Sequence, residues 1–556
     1  MSRDKTTPKP RVLRKLGNLE KYQIGMHHCR YYTGTSVLCR YVIPRSVLET
    51  AAPGAACENP GAAAVARVLE LAVASVVLEH PLLRVGLIGE ATGDPSWVEL
   101  DKINLADHIE WRFPETAADD AEAGRQRHKL VQEQLDTEFT DFEARPGWRV
   151  IASWLGRQRV DVLFVWNHAH LDGMSGRMFH GSLLRHLNSS SSSGSGAAPA
   201  LQDGAHVLPV STPKDRFPPA QDDVVVFPIS AVFAAKEGWK EYRPASLTPR
   251  DERATLAHWV PRVQQQHGGG RPESRLRIIE TSAADLGPLL RRCRDRGTTL
   301  TGLLHALALA SLSLQLADGG GGGDREGLAR GFAAVTAMNT RRFADEKVEQ
   351  ADGGAGNRRW RKKYPWFEPT GAMGNYVSSL THKFFPPTVA EMRRAWAAAG
   401  GAPKGTLPGP LRELVWTAAV MARSDIDRRI EAGPKDDVMG VMRAVGNWND
   451  FLKAKFKRAR DASWLVTNIG VIDGGGAAEG EERWTVDDAE FHCGANIVGA
   501  ALEISTVSVK GKGLKTSICW QEGAIEEAIG EGFAANLEAW LRELAGDGNP
   551  TIPNGH

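Results

Sequence analysis

The sequence predicts a mixed α/β protein built as two lobes. Three observations lead there. The chain has 556 residues, too many for one ordinary domain. Helix-like and strand-like stretches alternate along it, and a second alternating unit begins near residue 275, after a stretch rich in Pro, Asp and Gly. The expected division is an N-terminal lobe over 1–200, a crossover linker over 201–274 and a C-terminal lobe over 275–556.

The elements follow in order. Val65 to Leu83 carries apolar residues at three- and four-residue intervals and stops at His80-Pro81, which predicts a buried helix. Arg159 to Trp166 is β-branched and aromatic and predicts a core strand. An amphipathic segment, Met178 to Leu187, comes next. In the second unit, Arg277 to Thr281 reads as a strand, Asp285 to Asp295 as a helix, and Thr298 to Gln315 as a long buried helix with Thr as its N-cap. Gly331 to Met338, Trp464 to Asn468 and Ala501 to Val509 are further strands. Leu514 to Trp520 alternates apolar and polar residues, which predicts a half-buried strand. The last helix, Ile525 to Leu544, sets Ile525, Ile529, Phe533, Leu537 and Leu541 on one core-facing stripe; its other face is acidic.

Composition narrows the function. Lys plus Arg number 68 against 67 Asp plus Glu, so no global field attracts polyanions and a nucleic-acid partner is not expected. The basic cluster at 358–363 is read as a solvated loop. Six cysteines (Cys29, Cys39, Cys57, Cys293, Cys493, Cys519) show neither CxxC nor Cys/His metal spacing, so neither a metal site nor a disulfide framework is expected. The polar N-terminus lacks the apolar core of a secretory signal, and no window holds about 18 uninterrupted apolar residues. A cytoplasmic location follows, with the periphery of the endoplasmic reticulum or of lipid droplets as the alternative. The low-complexity stretches Ser189–Gly196, Gly268–Gly270, Gly319–Gly323 and Gly474–Gly476 are read as surface loops; none has the GxxxxGKS/T pattern of a phosphate cradle.

The segment that carries chemistry is Asn167-His-Ala-His-Leu-Asp-Gly173, placed directly after the predicted strand 159–166. A His in a loop at the end of a rigid buried strand is well placed to act as a base, and neutral imidazole accepts a proton near neutral pH. Asp172 is expected to pair with an arginine and fix the loop, while Gly173 lets the backbone pass without a Cβ. His170 is the competing base. There is no GxSxG elbow and no other nucleophile motif.

This segment resembles the HxxxDG or HHxxxDG motif of the CoA-dependent acyltransferases and peptide-synthetase condensation domains, with Asn167 in place of the first His. Further marks resemble the fungal alcohol O-acetyltransferase family. They are Arg14–Tyr22 (RKLGNLEKY), His80–Arg84 (HPLLR), Arg145–Arg149 (RPGWR), Thr299–Gly302, Met373–Tyr376 (MGNY), Asn468–Ile472 (NIGVI) and the turn Gly511–Leu514, spread from about residue 11 to 545.

The resemblance implies two chloramphenicol-acetyltransferase-like lobes, each a mixed sheet flanked by helices, with an active-site tunnel between them. It makes His168 the base, whereas His170 has the wrong spacing to Asp-Gly. It also implies acyl-CoA, as acetyl-CoA, for the co-substrate and a small hydrophobic alcohol for the acceptor, with no metal and no acyl-enzyme. By position Arg84 is the expected partner of Asp172, with Arg341 as runner-up; Asn375, Tyr376 and Asn468 are the expected substrate-side residues. The Asp-Phe-Gly-Trp-Gly segment of plant-type acyltransferases is missing. Other readings are N-acyl transfer to a hydrophobic or sphingoid-like amine, an inactive binding protein of the same fold, and condensation on a carrier protein supplied in trans. A monomer with at most weak peripheral membrane contact completes the expectation.

Overall fold

Arg159–Trp166 is a strand buried along almost its whole length, because strands flank it on both sides and packed side chains cover both its faces. The structure, a computed structural model, describes residues 10–49, 60–113, 120–156, 158–189, 199–202, 206–262, 273–316, 330–344, 359–400, 405–476 and 482–546. The loops expected at Gly268–Gly270 and Gly319–Gly323, and all of Ser189–Gly196 beyond its first residue, lie outside the described residues. Gly474–Gly476 is a loop, its first glycine buried and Gly475 at φ 63°.

Two sheets organise the chain. The first runs Thr485–Cys493, Thr35–Val42, Arg159–Trp166, Trp148–Gly156, Ile109–Arg112, antiparallel except for its last pair. The second runs Ser274–Thr281, Leu514–Gln521, Leu502–Val509, Trp464–Ile472, Phe332–Asn339, Val377–Phe384. Its two middle pairings are parallel and the rest antiparallel. Each sheet anchors its own hydrophobic core. On the outer side of the second sheet pack the helices Leu300–Gln315, Gly409–Glu431 and Glu527–Gly546. Thr299 caps the first of these by accepting the Gly302 N–H at 3.2 Å. Phe533, Leu537 and Leu541 of the last helix are buried there, so its apolar stripe faces the core.

Three expectations need correction. Leu514–Gln521 is buried on both faces. Leu514, Ile518 and Trp520 enter the second core while Cys519 enters the first, so the face expected to be wet is covered by the other lobe. Second, 201–274 is not a plain linker: it holds the short strand Val207–Pro209 and the helices Gln221–Val224, Ala231–Tyr242 and Arg250–Thr255. Third, 275–556 is not one contiguous lobe. Thr485–Cys493 crosses back and pairs in register with Thr35–Val42, completing the first sheet.

That strand carries Glu490 and His492, which discourages a buried-strand reading. Inside, Glu490 meets Arg127 at 3.1 Å and His492, and His492 Nδ1 lies 3.1 Å from Ser36 Oγ. Burial alone would raise the Glu490 carboxyl, but Arg127 and His492 bring it down to about 2.

Among the described residues one helix, Gly61–Glu79, is long and apolar enough to cross a membrane, with mean hydropathy 1.9. Here Val65, Leu69, Val73, Val76 and Val77 enter the first core, and its charges Arg67 and Glu70 pair at 3.0 Å.

Candidate active site

The motif follows the strand end as a tight loop. Asn167 shapes it: its N–H donates to the Gly147 carbonyl, its Oδ1 accepts the Ala169 N–H at 2.9 Å, and its carbonyl accepts the His170 N–H. The turn leaves His168 half-buried while His170, two residues on, points into the core. His170 sits between Trp97, 4.5 Å between ring centroids, and Phe142, and its Nε2 accepts the Gly147 N–H at 3.1 Å. Burial, helped by His27, pushes it down to about 3. His170 is therefore a packing and turn-fixing residue that stays neutral.

His168 is held from both lobes. Its carbonyl accepts a 2.6 Å hydrogen bond from Asn375 Nδ2 of the second lobe, which also lies 3.4 Å from the ring Nδ1. Tyr32 of the first lobe stands with its ring centroid 5.8 Å away. A hydrogen bond to the residue's own backbone carbonyl favours the protonated ring. Among the described residues nothing bonds to Nε2. Burial lowers the imidazole below its usual 6.5, outweighing its own carbonyl and the charge of Asp172.

Asp172 is fully buried and pairs with Arg341, not Arg84. Arg341 Nη1 and Nη2 reach its two oxygens at 2.7 and 3.2 Å. Oδ1 also accepts the N–H and hydroxyl of Ser175, and Oδ2 the Tyr376 N–H at 3.0 Å. Burial alone would raise this carboxyl; the Arg341 charge and these donors leave it below its ordinary value. Arg84 is taken elsewhere: its Nη1 donates to the Leu78 carbonyl at 2.6 Å, capping the helix Pro60–Glu79, and its Nε donates to Thr212. Arg341 in turn donates to the carbonyls of Ala372 and Gly374 and lies 4.7 Å over the Tyr376 ring. Asp172 N–H to Gly374 O and the reciprocal Ser175–Gly374 bonds complete a staple between the motif and the loop 372–376.

Gly173 opens the helix Gly173–Ser189, and a Cβ there would come within 2.9 Å of Ile469 and Phe491, so its role is close approach. Of the three expected substrate-side residues, only Asn375 touches His168. Tyr376 serves the motif through its backbone, while its hydroxyl donates to Pro219 O at 2.7 Å. Asn468 is exposed, its Oδ1 accepting the Gly470 N–H, and among the described residues nothing links it to His168. The basic cluster keeps Lys363 3.7 Å from Asp223; Arg358 lies outside the described residues. Two surface hollows of about 360 and 390 Å³ are lined by no residue of the motif. Among the described residues no group of three or more His, Cys, Asp or Glu is placed to hold a metal ion.

Sequence reasoning missed a polar group behind Tyr32. The Tyr32 hydroxyl lies 2.8 Å from Thr35 Oγ1, and the buried Cys493, Glu503 and Ser505 come from the 485–493 and 502–509 strands. Only the alternation of 502–509, which sends Glu503 and Ser505 to the side opposite Leu502 and Ile504, could have pointed to it. Burial raises Glu503 to about 8 although Arg460 and Asn496 oppose the shift. The folded chain then keeps a proton that the unfolded chain releases near 4.5, so stability falls as pH rises from about 4.5 to 8. Glu503→Gln is expected to remove this loss; its Tm should drop less between pH 6 and pH 9 than that of the parent, as calorimetry would read.

No family model matches the chain. It is 25% identical over 548 residues to a probable alcohol acetyltransferase of Fusarium pseudograminearum, covering 97% of both chains. A probable alcohol acetyltransferase of Aspergillus fumigatus is 22% identical over 524 residues, covering 92% of this chain and 96% of the relative. The chain is thus similar over nearly its whole length to probable alcohol acetyltransferases of fungi. The trichothecene 15-O-acetyltransferase of Fusarium sporotrichioides superposes with a TM-score of 0.59 at 14% identity, over 95% of this chain and 94% of that one. That likeness shows the fold.

Proposed function

We propose that the protein transfers an acyl group, acetyl in the first instance, from acyl-CoA to the hydroxyl of a small hydrophobic alcohol, with His168 as the general base. The observation that carries this is the half-buried imidazole between the lobes, its Nε2 open and its loop pinned by Asn375 and by Asp172–Arg341. Nε2 takes the hydroxyl proton as the alcohol oxygen attacks the thioester carbonyl. The C–S bond then breaks, and the imidazolium returns the proton to the departing CoA thiolate. Asp172, occupied on both oxygens, relays no proton; it holds the loop. The acetyltransferase relatives support acyl-CoA as the donor.

The test is thiol release from acetyl-CoA and longer acyl-CoAs against a panel of alcohols and amines, with a mass spectrum separating ester from amide. No acyl transfer to any alcohol would end the proposal. The pH profile is a second expectation. Only the neutral ring is a base, and burial lowers its pKa, so the acidic limb of kcat/KM should have its midpoint below 6.5. A midpoint at or above that value would remove the buried His168 from the role.

A further inference from the structure

A helix on the surface of a globular protein ordinarily turns its apolar stripe inward. Ala231–Tyr242, within the crossover segment, does the reverse. Val232, Ala235, Trp239 and Tyr242 recur at three- and four-residue intervals and so share one face. That face is in solvent: Val232 is 79%, Trp239 55% and Tyr242 72% exposed, and the neighbouring Leu247 is 55% exposed. The helix buries no residue fully. Its charges are sorted too. Lys236 and Lys240 flank the outward face and are exposed, whereas Glu237 and Glu241 lie on the inward side, half-buried. Glu241 is engaged there by Arg458 at 2.9 Å. The outward surface is thus apolar, aromatic and cationic, with the acids of the helix turned away from it.

We propose that this face docks on an anionic membrane, with Val232, Trp239 and Tyr242 entering the headgroup boundary and Lys236 and Lys240 meeting lipid phosphates. Trp and Tyr suit that boundary because each has an apolar body and a polar tip, and lysines beside them add attraction to negative lipid. Charge complementarity favours this occupant over a second copy of the chain, whose matching face would bring lysines against lysines.

The helix is tied to the body of the protein through Arg458, which holds Glu241. Docked there, the protein would meet a lipid-dissolved acceptor at the membrane surface. This last step rests on the proposed function, whereas the docking does not.

The test is co-sedimentation of the full chain with vesicles of phosphatidylcholine alone or mixed with phosphatidylserine. The parent should pellet with the mixed vesicles and be released by high salt. Trp239→Ser combined with Tyr242→Ser should weaken that binding by roughly tenfold or more, and Lys236→Glu combined with Lys240→Glu should abolish the preference for phosphatidylserine. Both variants should keep the parent Tm, since the four side chains are exposed. Failure of the parent to pellet with mixed vesicles, or equal binding by both variants, would overturn the proposal. So would parent dimers, with no vesicle binding, that the aromatic variant converts to monomers. Absence of acyl transfer with intact vesicle binding would instead remove the proposed function and leave the docking standing.

Discussion

His168→Ala is expected to lower the rate of CoA release by about 10²- to 10⁴-fold, the usual contribution of a positioned base. Tm should stay close to that of the parent. The ring is half-buried and its Nε2 bonds to nothing among the described residues, so its removal leaves no core polar group stranded. The Asn375 bond goes to the backbone carbonyl of residue 168 and survives the substitution. The loss should therefore appear in kcat, with little change in folding, in a thiol-release assay paired with calorimetry. Turnover retained within a few fold would show that His168 is not the base, leaving its half-buried place between the lobes without a chemical role.

The second large effect concerns folding. Arg341→Ala strands Asp172, which is fully buried and keeps only N–H and hydroxyl donors once the guanidinium is gone. Removing one partner of a buried ion pair costs about 3–5 kcal/mol, because the remaining charge has neither water nor cation. Here the arginine also donates to the Ala372 and Gly374 carbonyls, so the loop 372–376 loosens as well. Urea unfolding should show the unfolding free energy lowered by that amount, and activity should fall with it as Asn375 loses its placement. Arg84→Ala should cost far less, since Asp172 does not touch it. Equal effects from the two substitutions would contradict the pairing.

How far the site could be read in advance divides along a physical line. The strand Arg159–Trp166, the helix Leu300–Gln315 and the helix Glu527–Gly546 were legible because local periodicity and caps express them directly. His168 was legible because its loop is continuous with its strand. The partner of Asp172 was not: Arg84 and Arg341 both follow apolar segments, and only the packing of the second sheet's Phe332–Asn339 end against the motif selects Arg341. Asn375 was found, but its partner, a backbone carbonyl, carries no sequence signal. Tyr376 and Asn468 illustrate the converse, since a motif residue can serve through its amide or its own turn while its side chain points away. The strand Thr485–Cys493 was missed because its charges look wet, while the Arg127 that neutralises Glu490 and the Ser36 that bonds His492 lie hundreds of residues earlier in the chain.

That returning strand also bears on how the protein can be made. During synthesis the first sheet stands open along Thr35–Val42 until more than four hundred further residues have been added, since Cys493 pairs with Thr35. An unpaired edge invites other chains, and its closure must wait for a contact of very long sequence separation. The two lobes are therefore not separable modules in time any more than in space: a ribosome-released fragment ending before residue 485 would present an open seam, and the finished protein is closed by almost the last strand to emerge.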